Sequence, residues 1–155
     1  MQGRREAMQQ SPNNSQFNIE QRLRTIRILW IAMLFSVVVY YVFTLFVPQQ
    51  IERQPNSTVS LFLLAVGVLA TIISFPIKRR FLNQAVDQQR VQVLQQGYIF
   101  TWAVNEIAAL FGLLDFFLTG NRYYFVLFLI AAIGLLLHYP KRQHLIDASW
   151  KKPIE

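Results

Sequence analysis

No cysteine occurs anywhere in the chain. That absence rules out disulfides, thiolate nucleophiles and cysteine-ligated metals, and it leaves the redox compartment open. Glycine and proline are scarce, six of each in 155 residues, and no glycine-rich loop of the kind that cradles phosphate is present. Nor is there a G-x-S-x-G turn or an H-E-x-x-H pair. Ser36 and Ser74 have no histidine at matching depth, so neither enzyme activity nor a cofactor is expected. Charge is thin as well: 15% of residues are charged against 54% apolar, a balance unusual for a soluble domain of this size.

What remains is four apolar runs, residues 28–46, 59–77, 97–119 and 123–139. Each is long enough, at ~1.5 Å per residue, to approach the ~30 Å of a bilayer's hydrocarbon core. Five prolines (Pro12, Pro48, Pro55, Pro140 and Pro153) fall outside the runs, and Pro76 marks the end of the second. Proline suits such boundaries because it cannot donate to a helix. Trp30, Tyr98, Tyr123, Tyr124 and Tyr139 lie near run ends, where amphipathic rings suit headgroup depth. The expected fold is all-α, an integral membrane four-helix bundle of two antiparallel hairpins. A polar lead over residues 1–15 would precede a bundle over 16–144, and residues 145–155 would form an interfacial tail.

Basic residues set the orientation. Arg4, Arg5, Arg22, Arg24 and Arg27 precede the first run, Lys78, Arg79, Arg80 and Arg90 join the second to the third, and Lys141, Arg142, Lys151 and Lys152 follow the fourth. Only Arg53 and Arg122 fall on the other side. The positive-inside rule then puts both termini in the cytoplasm, with the bilayer's anionic headgroups as partners. The net charge of +7 does not point to nucleic acid, because the cations flank apolar runs and form no stripe interleaved with stacking aromatics. The connection over residues 78–96 reads as a short polar turn followed by an extension of the third helix. Between the third and fourth runs, Gly120 and Asn121 supply turn chemistry.

Glu106 stands near the middle of the third run. A carboxyl at that depth is costly and turns toward a bundle interior or a wet path. Ala103, Asn105, Ala108, Ala109 and Gly112 surround it on the helix, and small residues let another helix approach closely. Ala109, Gly112, Gly67 and Gly134 are the expected packing positions, and association with a second copy or a larger membrane complex is expected through such faces. Burial disfavours a bare charge, so Glu106 is expected to be neutral at rest. It then either donates a hydrogen bond to a neighbouring span or carries a proton or cation across. Asp115, on the opposite face and nearer the outer surface, is expected to reach interfacial water or pair with Arg122. His138 and His144 are six residues apart, not the spacing that sets two ligands on one helix face, so no metal site is expected.

The segment from Asn105 to Leu114, an acid followed by an alanine-rich turn and then Phe-Gly-Leu-Leu, resembles the ion-binding helix of rotary ATPase proteolipid subunits. That resemblance implies that Glu106 carries the translocated proton and that Gly112 is a packing position. It covers about ten residues, and the second run here has one glycine, Gly67, where proteolipids pack a glycine-rich helix. Across most of its length the chain is similar to a class of small four-helix bacterial inner-membrane proteins. The features that carry this likeness are Arg27 to Trp30, the Glu106 segment, and the ending His138-Tyr139-Pro140-Lys141-Arg142. It implies a fold and an inner-membrane location, not an activity.

Overall fold

A computed structural model describes residues 12–48 and 57–149, with side chains from residue 19 onward. Most of the expected polar lead, the outer connection after Pro48 and the last residues of the tail lie outside those described. The described residues are helical, with no strand among them. The helices are α1 (Pro12–Phe46), α2 (Ser57–Gln88), α3 (Val91–Thr119), α4 (Phe125–Leu137) and α5 (Arg142–Ser149).

Three of these are long and apolar enough to cross a membrane, and there are four if α4 and α5, bent by 49°, count as one broken span. Large apolar side chains remain exposed on all four long elements, among them Phe35 on α1, Phe62 on α2, Leu110 on α3 and Leu137 on α4. A soluble monomer rarely leaves so much apolar surface uncovered. The pattern suits a multi-pass membrane protein.

α3 is the central helix: 44% of its apolar window is buried, against 11% for α1. Its buried residues include Gly97, Thr101, Asn105, Ala108, Gly112, Asp115 and Thr119. Steps of three and four make one continuous stripe along the helix, the spacing that keeps a seam facing its neighbours. Small residues on the stripe set the distances of approach. A Cβ on Gly67 of α2 would meet Leu127 and Ala108, and one on Gly112 would meet Phe128 and Leu127. On α4, a Cβ at Gly134 would run into the amide of Asn105.

The neighbour relations differ from two hairpins. α2 and α3 form one antiparallel pair, with Ser60 beside Asp115 and Phe81 beside Gly97. α3 and α4 form the next, but among the described residues α1 does not pack beside α2. α1 lies across the other side of the bundle, parallel to α3 and antiparallel to α4, through Trp30 to Leu135 and Thr44 to Tyr124. Among the described residues, α1 and α2 thus do not pack side by side as the expected first hairpin would have them. Run order predicts hairpins only when consecutive helices pack, and here α3 and α4 present the small faces that α1 and α2 both use.

The inner connection also differs. α2 continues through Pro76 to Gln88, and the turn falls at Gln89 and Arg90. Arg90 N–H bonds Ala85 O at 3.1 Å and Gln89 N–H bonds Val86 O at 3.2 Å. This is the paired closure of a Schellman motif, with Gln89 at φ 52° in the left-handed position that glycine usually takes. The inner ends of α1, α2 and α3 and the short α5 contribute Leu23, Ile26, Ala85, Leu94, Leu145 and Ala148 to the same buried core. A compact cap therefore closes the basic end of the bundle. An exposed Arg142–Glu20 pair at 3.3 Å joins α5 to α1, and at such exposure it adds little.

Candidate functional site

Glu106 is one residue off the α3 stripe, so its side chain leaves the seam and turns toward α1. It is half-buried, and two hydroxyls of α1 converge on its Oε1: Ser36 Oγ at 2.6 Å and Tyr40 at 3.1 Å. Ser36 Oγ also lies 2.7 Å from Met33 O. A hydroxyl has one proton to give. Ser36 therefore shares its single proton between Glu106 Oε1 and Met33 O, and Tyr40 donates to the same carboxyl oxygen. The cluster is a three-group clasp between α1 and α3.

Asn105, its chain neighbour, points into the seam against Gly134. It is fully buried, and both its amide nitrogen and its amide oxygen lack a hydrogen-bond partner. Ala109 is fully buried too. Gly67, Ala109, Gly112 and Gly134 all lie within the chain's own packing, so these small residues are not surface available to a second copy.

Asp115 departs from its expectation. It is 2% exposed, accepts from Ser60 Oγ at 2.9 Å and lies 2.6 Å from Thr119 Oγ1. Asn121 donates its amide to Ser60 and its backbone N–H to Thr119 Oγ1. Among the described residues no ion pair joins Asp115 to Arg122, which is exposed. The stripe explains this: Asp115 falls three residues after Gly112 and so faces α2, although it is near the outer end.

A third cluster closes the inner end. His138 is fully buried, with Nδ1 2.6 Å from Gly134 O and Nε2 3.3 Å from Ser74 Oγ, so Ser74, contrary to expectation, does have a histidine at its depth. The indole N–H of Trp102 donates to His138 O at 3.2 Å, and that of Trp30 donates to Leu135 O at 2.8 Å. His144 is a separate group on α5, 2.5 Å from the Tyr98 hydroxyl. Tyr98 is itself 2% exposed, so this ring is packed in the core and is not presented to lipid. No group of three or more potential metal ligands occurs among the described residues.

The rarity of an acid at mid-run singled out Glu106. Asn105 is buried, as the small-residue face implies; the burial of Asp115 and His138 is not anticipated, although the three-and-four spacing from Gly97 to Thr119 carries the signal for Asp115. His138 follows α4 as its cap, and no comparable pattern marks it. Comparison with protein-family models, curated proteins and solved structures finds no match to this chain.

Proposed function

We propose that this chain is a structural or accessory protein of the inner membrane, crossing the bilayer four times with both termini in the cytoplasm. Glu106 acts within it as a clasp between α1 and α3. The observation that carries this reading is the convergence of Ser36 and Tyr40 on one carboxyl oxygen. α1 is the least enclosed helix, and polar bonds between spans are the interactions that hold a helix when lipid removes the hydrophobic gain of packing. The cap of basic residues at one end supports the orientation, through attraction to anionic headgroups.

A second reading, translocation of a proton or cation by Glu106, draws on the partial exposure of the carboxyl and its two hydroxyl partners. The two readings part at one substitution. Under the clasp, Glu106→Gln keeps a donor and an acceptor, so stability falls by less than about 1 kcal/mol, whereas Glu106→Leu loses about 1–2 kcal/mol. Proton flux into vesicles containing the purified protein should match protein-free vesicles for wild type and Glu106→Gln alike. Flux in wild type that Glu106→Gln abolishes while the protein stays folded would replace the clasp with transport.

A further inference from the structure

Beside Asp115, between the outer ends of α2 and α4, lies a groove of about 300 Å³. Asp115, Ser60 and Asn121 line one part of it, and Leu61, Leu64 and Leu127 give it apolar walls. The Asp115 side chain is almost wholly enclosed, yet its described hydrogen-bond partners, Ser60 and Thr119, are neutral hydroxyls. No lysine, arginine or histidine among the described residues forms an ion pair with it. Enclosed carboxylates are ordinarily paired with a cation or give up their charge.

We propose that this groove binds a primary ammonium group on a short alkyl chain, with Asp115 as the counter-charge. The acceptor count matches. Ser60 Oγ donates to Asp115 and accepts from Asn121, and Asn121 Oδ1 accepts from the backbone of Tyr123, so each of these oxygens keeps one lone pair. With the carboxylate they offer three acceptor groups to the three N–H donors of an ammonium. The leucine walls take the alkyl chain. A quaternary ammonium has no N–H to give, and an alcohol has no charge. The assignment does not depend on the role of Glu106.

The test is thermal unfolding of the full chain in a non-ionic detergent, titrated with n-hexylammonium, n-hexanol or hexyltrimethylammonium. n-Hexylammonium should raise Tm by several degrees and the other two should not, and affinity should rise about fourfold per methylene from propyl- to hexylammonium. Asp115→Asn should abolish the shift. Should that variant not fold, Leu64→Trp fills the groove without altering the carboxyl's partners, and it should lose the shift while keeping its ligand-free Tm. Equal shifts with n-hexanol, or a shift that survives Leu64→Trp, would overturn the proposal. The absence of a shift with n-hexylammonium in the unaltered chain would overturn it as well. In phosphatidylcholine nanodiscs the shift should persist when phosphatidylethanolamine is added; its loss there would assign the groove to a lipid headgroup and not to a free amine.

Discussion

Leaving a buried amide without partners costs about 1–3 kcal/mol, and Asn105 bears that cost against the bare backbone of Gly134. The two residues are coupled by space. Gly134→Ala drives a methyl group into the amide and should lower stability by about 1–3 kcal/mol, the range for overpacking. Asn105→Ala removes the unpaired amide and leaves a small void, effects of opposite sign that should cancel to within about 1 kcal/mol. With the amide gone the added methyl has room, so Gly134→Ala should be close to harmless in the Asn105→Ala background. A double-mutant cycle of detergent-solubilised unfolding measures this. Equal costs for Gly134→Ala in both backgrounds would show that the two side chains do not meet. Glu106 itself was legible as an acid where acids are rare; which hydroxyls it would find was not, because that depends on which helix packs there.

At the scale of elements, the four apolar lengths could be read directly from hydropathy, and α1, α2 and α3 contain the first three. The turn at Gln89 could not be read, since a left-handed C-cap is normally announced by glycine and the segment has none before Gly97. That choice should carry a measurable penalty. Gln89→Gly relieves the positive φ and removes an unpaired amide oxygen, while giving up the bond from Gln89 Nε2 to Val86 O. The net effect should be a gain of about 0.5–1 kcal/mol. Gln89→Val, β-branched at a positive φ, should lose about 1–2 kcal/mol. If the glycine variant is less stable than the valine variant, the turn is not where α2 and α3 meet. The separation of α1 from α2 was equally hidden: hydropathy places helices in a membrane but does not say which of them touch.

For the molecule as a whole, apolar surface and charge point the same way. The exposed leucines, isoleucines and phenylalanines of α1 to α4 form the flanks, and the described arginines and lysines, Arg122 apart, gather at the end where α5 closes the bundle. The account depends on that arrangement lying across a bilayer, and the absence of cysteine makes it open to a clean test. Single cysteines at Arg24, Thr58, Arg122 and Ser149, all exposed, can be probed in intact cells with a membrane-impermeant thiol reagent. Thr58→Cys and Arg122→Cys should react at once, and Arg24→Cys and Ser149→Cys only after the membrane is opened. Labelling of Arg24→Cys and Ser149→Cys from opposite sides, or of all four without opening the membrane, would contradict a fourfold crossing with both ends inside.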